Sequence, residues 1–250
     1  MNIERKSKKT RTTGETQISI EINMDGKGVS EIKSPVGMLN HMLDQIARHG
    51  LIDIKASIEG DLETGTHHII EDAAIVLGMC IDDALGDRVG ILRMGDKTCL
   101  LDEALCSVAL DLSGRGYSVI DMGSYDNEGE FSLDMGRHFY ESLSANGRFG
   151  IHLRMLSGSN HHHILESSFK TFSRALREAA SFDPRRVDSI ASTKGSLTVD
   201  GKQYGVPWGY YQWGVYYRKD LFDQLGLNVP RDWDEFKWVC AMLKKNGITP

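Results

Sequence analysis

The chain has 250 residues, of which 40% are hydrophobic and 26% charged, and its formal net charge is −6. This composition is typical of a soluble globular protein of one or two domains, and it provides no overall positive field for nucleic acid or an anionic membrane. No apolar stretch approaches the ~20 residues that cross a bilayer, and no secretory signal follows the basic start ERKSKKTR. We therefore expect a cytoplasmic protein with reduced, buried cysteines, and we interpret ERKSKKTR as a solvated N-terminal segment.

The first half of the chain predicts two strands, a helix, a strand and a second helix. TQISIEINM and VSEIKS alternate apolar and polar residues on either side of the turn DGKG, as the strands of a hairpin do. GMLNHMLDQIARHG then places apolar residues on one helical stripe and ends at Gly50, and LIDIKASIEG alternates again as a strand. The segment that begins with HHIIE has helical spacing and predicts a helix to about Leu85.

The second half repeats this order. LCSVALDL and YSVIDM flank the turn SGRG, and HFYESLSANG, FGIHLRML and HHHILESSFKTFSRALREAA follow as helix, strand and amphipathic helix. We therefore predict an α+β fold of two β-β-α-β-α repeats, residues 1–95 and 96–197, with helices on one face of each sheet. Residues 198–250 are rich in aromatics and glycine, contain all four tryptophans, and belong to neither repeat.

Two stretches, GTHHIIEDAA and SNHHHILESS, share a pattern of two adjacent histidines followed three residues later by a glutamate. Residues four apart share a helix face, so His67 converges with Glu71, and His162 converges with Glu166. Adjacent residues diverge by about 100°, so the two histidines of each pattern would serve two different ions. A lone helix histidine is usually structural, but the duplicated pattern favours metal binding.

A further histidine precedes each pattern, on the shorter helix of its repeat. His41 lies 26 residues before His67, and His138 lies 24 residues before His162. The duplication thus predicts two equivalent sets of ligands, one in each half: His41, His67, His68 and Glu71, and His138, His162, His163 and Glu166. Nitrogen and carboxylate ligands without thiolate suit Mn, Fe, Co, Ni or Zn, and the spacing does not select among these ions.

Several basic and hydroxyl side chains suit a phosphate group. Arg93 follows GDRVGIL, Arg115 lies in the turn SGRG, Lys170 lies one turn after the second histidine pattern, and STK supplies Ser192 and Lys194. Each of these alone is more often a solvated surface group. Beside a metal site, they would indicate a small phosphorylated substrate.

Residues 11–197 resemble the imidazoleglycerol-phosphate dehydratase family of histidine biosynthesis. The matching stretches are RTTGET, HMLDQIARHG, THHIIEDAA, DEAL, DLSGRGY, HHILESSFKTFSRALR, and DPRR followed by STKG. The resemblance implies dehydration of D-erythro-imidazole-glycerol phosphate to imidazole-acetol phosphate, on a ribosomal protein S5 domain 2-like fold. It also implies two Mn²⁺ ions per active site, and trimers that assemble into a 24-subunit homo-oligomeric shell with active sites at subunit interfaces.

The resemblance also implies roles for individual residues. The eight histidines and glutamates match the family's metal ligands, Glu15 matches an acidic residue near the substrate, and Gln45 matches a substrate contact. The phosphate pocket is matched by Arg93, Arg115, Lys170, Ser192 and Lys194. A carboxylate must also shuttle protons, and Glu15 or Glu71 is the candidate. Metal ligation by Glu71 would compete with that role, which favours Glu15.

Two other hypotheses remain open from the sequence. Asn40 stands where the family usually has Asp, and its neutral amide would weaken carboxylate support of His41, as in an inactive metal-binding relative. Residues 198–250 resemble a fragment of an extracellular sugar-binding protein of ABC importers, which suggests a solute receptor. A receptor requires export, however, and about fifty residues rarely bury enough surface to fold alone. The dehydratase is therefore the leading hypothesis.

Overall fold

The computed structural model describes residues 5–63, 65–123, 129–192, 225, 227 and 233–245. The chain divides into two compact units, Met1–Val206 and Pro207–Pro250. Within its described part, the first unit contains two copies of one order of elements, which we call the first and second repeats. The first repeat consists of β1 (Lys6–Thr12), β2 (Thr16–Asn23), β3 (Ser30–Lys33), α1 (Gly37–Gly50), β4 (Asp53–Gly60) and α2 (His67–Leu85). The second repeat consists of β5 (Met94–Leu101), β6 (Ala104–Asp111), β7 (Tyr117–Asp121), α3 (Leu133–Gly147), β8 (Gly150–Ser157) and α4 (His161–Ala179).

Each repeat forms one four-stranded sheet, in the order β1-β2-β4-β3 and β5-β6-β8-β7. The first three strands in each order are antiparallel, and the last strand runs parallel to its neighbour. Helices α1 and α2 pack on the first sheet, and α3 and α4 pack on the second. The predicted α+β fold with an internal duplication is confirmed. Each repeat is β-β-β-α-β-α, however, and so has one more strand than we predicted.

The interpretation of the basic N-terminal stretch as a solvated segment is wrong, because much of it forms the edge strand β1. This strand has few apolar residues, so it lacks the alternation that predicts a strand. Its cationic and hydroxyl side chains instead meet acidic residues of α2: Lys9 Nζ lies 3.0 Å from Asp83 Oδ1, and Ser7 Oγ donates to Asp83 Oδ2 at 2.6 Å. Backbone pairing with β2 and these polar contacts stabilise the strand without an apolar face.

The second strand missing from the sequence prediction is β5, which begins at Met94, so the predicted boundary after residue 95 falls inside it. Gly95 brings this strand close to α4, because a Cβ there would lie 2.4 Å from the carbonyl oxygen of Ala175. In α3 the structure also extends the prediction, since the helix begins at Leu133. The Ser132 side chain caps it by accepting a hydrogen bond from the backbone N–H of Met135 at 3.2 Å.

The two repeats interlock through their helices and share one hydrophobic core. Helix α1 of the first repeat packs on α4 of the second, and α2 of the first packs on α3 of the second. At the second contact, a Cβ at Gly78 would lie 2.8 Å from the backbone nitrogen of Gly147. Glycine at position 78 lets the helices approach closely, and this crossing brings side chains from both repeats together.

In the second compact unit, the described helix is α5 (Trp233–Lys245). Leu227, Val239 and Leu243 form a small buried cluster there, whereas Trp238 is 56% exposed. Trp208 and Trp213, two of the four tryptophans of this segment, lie outside the described residues. Among the helices that are described, none is both long enough and apolar enough to cross a membrane.

Candidate metal centre

One group of histidine and glutamate side chains lies where α1 meets α4, and we call His41, His162 and Glu166 the α1–α4 cluster. His41 Nε2 and His162 Nε2 lie 3.0 Å and 2.9 Å from the same atom, Glu166 Oε2. The centroids of the two imidazole rings are 5.3 Å apart. The other carboxylate oxygen, Oε1, is 2.6 Å from Lys170 Nζ, one turn further along α4. One glutamate therefore joins two histidines from different repeats.

The Glu166 carboxylate is held in its charged form. Burial alone would raise its pKa, but hydrogen bonds from Lys170, His41 and His162 outweigh burial and lower the pKa from 4.5 to about 2. The glutamate is only 9% exposed. A buried, charged carboxylate with two imidazoles within hydrogen-bond distance is well suited to hold a divalent cation.

A second group lies where α2 meets α3, and we call His67, Glu71 and His138 the α2–α3 cluster. His67 Nε2 lies 3.4 Å from Glu71 Oε2, and His138 Nε2 lies 3.3 Å from Glu71 Oε1. The two imidazole centroids are 5.0 Å apart. Although the Glu71 carboxylate is near, His138 Nε2 is buried and makes no hydrogen bond of adequate geometry among the described residues. A buried polar nitrogen without a partner is costly, and a metal ion would satisfy it.

The remaining histidine of each pattern, His68 or His163, is not a member of its neighbour's cluster among the described residues. The ring centroids of His67 and His68 are 5.6 Å apart, and those of His162 and His163 are 6.2 Å apart. His68 Nδ1 lies 2.9 Å from Glu15 Oε2. In the second repeat, a hydrogen bond at 2.7 Å joins His163 Nδ1 to Glu103, and it is the main cause that raises the pKa of His163.

The grouping of these side chains differs from the grouping by halves that the sequence suggested. Each cluster combines the glutamate and first histidine of one pattern with the upstream histidine of the other repeat: His41 joins His162, and His138 joins His67. The reason is the crossing of α1 with α4 and of α2 with α3, which sequence periodicity does not reveal. Pairing of helices between repeats is a tertiary property, whereas the helical face of each residue is local.

The two clusters fit a metal ion by the chemistry of their donors. In each cluster, two imidazole nitrogens and one carboxylate oxygen lie within 4.8 Å of one another. Nitrogen and oxygen donors without thiolate suit first-row transition metals, including manganese. The cysteines are free, and burial raises the pKa of the Cys80 thiol to about 11 and that of Cys106 to about 12. These two thiols are therefore protonated at neutral pH and are poor metal ligands.

Arg93 is held firmly at the start of the second repeat. Its Nε and Nη2 donate to the two carboxylate oxygens of Asp111 at 2.7 Å and 3.0 Å, and its Nη1 donates to the carbonyl of Ala191 at 2.7 Å. The hydrogen bond to Asp111 is the main cause that raises the pKa of Arg93. A guanidinium has five N–H donors, so two remain available for an anion.

The other residues predicted to bind substrate are spread over several elements. Gln45 is buried on α1, one turn after His41, and its Nε2 donates to the His41 carbonyl at 3.4 Å. Arg115 is exposed in the turn after β6, and Ser192 donates its backbone N–H to Ile190 at 2.7 Å. Lys170 contacts the α1–α4 cluster, as described above. Lys194 lies outside the described residues.

Three acidic residues at the site were not identified from the sequence. Asp111 orients Arg93, and Glu103 contacts His163, as described above. Asp72 anchors the turn that contains Glu15, because it accepts hydrogen bonds from Arg11 Nε at 2.8 Å and Thr16 Oγ1 at 2.5 Å. The equivalent positions of Glu15 and Glu103 could have identified Glu103, because each immediately precedes the second strand of its repeat.

Asn40 points away from its neighbour His41. Its Nδ2 donates to the carbonyl of Ser34 at 3.1 Å, and its buried Oδ1 has no hydrogen-bond partner among the residues described. A carboxylate at this position could not donate to that carbonyl. The expected loss of support for His41 stays a prediction.

The fold and these clusters define a duplicated α+β enzyme with paired histidine–glutamate groups that could hold metal ions. Residues 34–176 match the family model for imidazoleglycerol-phosphate dehydratase. A dehydratase of that name from Dehalococcoides mccartyi is 48% identical over 75% of this chain and 94% of its own length, and one from Dinoroseobacter shibae is 45% identical over 75% and 97%. The chain belongs to the imidazoleglycerol-phosphate dehydratase family, and is thus a hydro-lyase of histidine biosynthesis.

Solved structures give the same result. The crystal structure of the dehydratase from Pyrococcus furiosus, in complex with (S)-C348, has 34% identity and a TM-score of 0.66, and covers 75% of this chain and 99% of its own. The Staphylococcus aureus enzyme has 32% identity and a TM-score of 0.61, with 71% and 99% covered. The names of these relatives specify a phosphorylated substrate. Separately, residues 175–250 match the family model for a bacterial extracellular solute-binding protein.

Proposed function

We propose that this chain converts D-erythro-imidazole-glycerol phosphate into imidazole-acetol phosphate with the help of Mn²⁺, two ions per active site. The observation that carries the proposal is the pairing of each upstream histidine with the glutamate pattern of the other repeat, because it gives two equivalent centres of the same donors. His41, His162 and Glu166 would hold one ion, and His67, Glu71 and His138 would hold the other. When bound, such ions supply Lewis-acid polarisation of the imidazole and a template for the substrate.

His68 and His163 would complete the metal sites across a subunit interface. Both are metal ligands by resemblance, yet neither belongs to one of the three-residue clusters that the described part of the chain forms. An ion that used them would need ligands from a second chain. This geometry supports a homo-oligomer with interfacial active sites, and we propose trimers that assemble into the 24-subunit shell of the family.

We propose Glu15 as the proton shuttle. Its side chain is 53% exposed and contacts His68 Nδ1, so it can exchange protons beside a proposed ligand. Glu71, the other candidate, lies between His67 and His138 and would be engaged by metal. Asp72 joins the backbone segment around Glu15 to α2, because it accepts hydrogen bonds from Arg11 and Thr16.

The phosphate would be held by the basic side chains around the second repeat, and Gln45 would contact the substrate. Arg93, oriented by Asp111, presents two remaining N–H donors, and exposed Arg115 is free to approach an anion. Lys170, Ser192 and Lys194 complete the proposed pocket. Planar guanidinium groups suit phosphate because they donate two parallel hydrogen bonds.

We propose that the first and second repeats are the two halves of one cytoplasmic enzyme, with their boundary before Met94 rather than after residue 95, and that residues 198–250 are a foreign fragment. The match to a solute-binding family model supports a separate origin for the fragment, although that match begins at residue 175. Ala175, Leu176 and Ala179 are fully buried in the dehydratase core, so residues 175–179 belong to the enzyme. A solute-binding role for the whole chain is therefore not favoured.

The test is turnover of the full chain loaded with Mn²⁺, followed by formation of imidazole-acetol phosphate. We expect product from the wild type, and loss of both turnover and bound metal from His67→Ala and His162→Ala. His152→Ala, on β8 outside the clusters, is the control and should retain both properties. Absence of product from metal-loaded wild type would favour the inactive relative, and unchanged metal content in both cluster variants would refute the ligand assignment.

A further inference from the structure

Two glutamates occupy equivalent places in the two repeats. Glu15 immediately precedes β2, and Glu103 immediately precedes β6, so each lies in the turn between the first two strands of its repeat. Each carboxylate contacts the Nδ1 atom of the last histidine in the HHxxE pattern of its own repeat. The distances are 2.9 Å for His68 with Glu15 and 2.7 Å for His163 with Glu103.

The surroundings of the two glutamates nevertheless differ. Oε1 of Glu103 accepts the backbone N–H groups of Ser159 and Asn160 at 3.2 Å and 2.8 Å, and the Ser159 hydroxyl at 3.4 Å. The carboxylate is thus fixed to the start of α4 while Oε2 bonds to His163. For Glu15, the described side-chain contact is the one with His68. One carboxylate is clamped by four hydrogen bonds, and its counterpart is comparatively free.

We propose that Glu103 is a positioning residue that orients His163 as a metal ligand, whereas its counterpart Glu15, with fewer described contacts, serves proton transfer. The inference rests on the proposed function, because it requires that His163 binds metal. A hydrogen bond from Nδ1–H to a carboxylate selects one imidazole tautomer, directs the Nε2 lone pair outward and makes that nitrogen a stronger donor. The duplication has thus yielded two carboxylates of one origin and two roles.

The backbone at the start of α4 also helps to hold His163 in place. Asn160 caps α4 by accepting the backbone N–H of His163 at 3.2 Å, while Glu103 binds the two residues before the helix. The ring and backbone of His163 are therefore fixed by the same short segment. A histidine held in this way loses little freedom when it binds an ion, so its affinity is higher.

The experiment compares Mn²⁺ affinity and the Co²⁺ absorption spectrum of full-length Glu103→Gln with those of the wild type. Glutamine has one acceptor oxygen, so it cannot keep both the His163 bond and the bonds to the start of α4. We expect the affinity for one of the two bound ions to fall by about 10- to 100-fold, and we expect the Co²⁺ absorption bands to shift. Glu103→Asp, which retains the charge with a shorter reach, should give a smaller change in the same direction and serves if the glutamine variant does not fold.

Two controls separate positioning from charge and from stability. Asp102→Asn removes a charge of the same turn, at 3.7 Å from His163 Nε2, without touching the bond at Nδ1. It measures the effect of charge alone and should lower affinity less than Glu103→Gln does. Asn160→Ala removes the helix cap but keeps the bond between Glu103 and the His163 ring, so it should lower the melting temperature and shift the Co²⁺ bands less than Glu103→Gln does. If both Glu103 variants bind metal like the wild type while His163→Ala does not, the positioning role is refuted and the proposed function stands. If His163→Ala also binds normally, the ligand assignment in the proposed function fails.

Discussion

Replacement of Gly78 by alanine tests the close contact between α2 and α3. The added Cβ would lie 2.8 Å from two backbone atoms, Gly147 N and Leu143 O, whereas ordinary contacts begin at 3.4 Å. Backbone atoms cannot rotate away, so the helices must separate by about 0.6 Å in a closely packed interior. Overpacking of this kind costs about 1–3 kcal/mol, and the better helix propensity of alanine offsets up to ~1 kcal/mol. We expect a net loss of about 1–2 kcal/mol in the free energy of unfolding.

Urea denaturation of chelator-treated protein measures this loss, and Gly37→Ala is the matched control. A Cβ at Gly37, at the start of α1, meets nothing within 4 Å, so this variant should be as stable as the wild type or slightly more stable. Because α2 and α3 carry the α2–α3 cluster, Gly78→Ala should also lower the affinity for one of the two proposed ions. Gly37→Ala should lower neither affinity. Equal stability of the two variants would refute the close helix contact from which we explain the cluster.

Three further predictions follow from the site. Because the pKa of Glu166 falls from 4.5 to about 2 on folding, its stabilisation is complete above pH 4.5 and is lost as the pH falls towards 2. In metal-free protein, the stability gap between wild type and Glu166→Gln should shrink by about 1–2 kcal/mol between pH 5 and pH 3, and a constant gap in urea titrations would contradict the pKa. Asp111→Asn should raise KM about 10-fold with a smaller effect on kcat, because Arg93 loses the carboxylate that orients it. Steady-state kinetics that showed only a fall in kcat would exclude this role of Asp111. A chain that ends at residue 197 should keep metal content and turnover, and loss of both would show that the C-terminal segment supports the enzyme.

The sequence predicted those features that depend on local periodicity. The bounds of α1 and α2 match the prediction because both helices carry a strong apolar stripe between clear end signals. The divergence of His67 from His68 also follows from helical geometry alone. Strands β1 and β5 were missed because their pairing depends on a neighbouring strand and on polar contacts with a helix, and neither leaves an alternating apolar pattern. Periodicity in a sequence reveals a strand when one of its faces is buried, and these two edge strands have few buried residues.

The composition of the candidate site was predictable, but its grouping was not. Side chains such as His41 and Glu166 are 125 positions apart, and only the crossing of α1 with α4 makes them neighbours. Residues that contact only the predicted site residues were still harder to identify. In the sequence, Glu103 and Asp111 resemble ordinary surface carboxylates. Their partners identify them: a histidine nitrogen in one case and a bidentate arginine in the other.

The crossing of the helices couples metal binding to the cohesion of the two repeats. Each cluster draws two ligands from one helix and the third from a helix of the other repeat, so neither repeat alone contains a complete centre. An ion that binds only the folded chain stabilises it by RT ln(1 + [L]/Kd), and here that free energy acts at both helix–helix contacts between repeats. Gly78 at the α2–α3 crossing and the histidines beside it therefore belong to one arrangement, in which the surface that joins the repeats also forms the proposed catalytic centre.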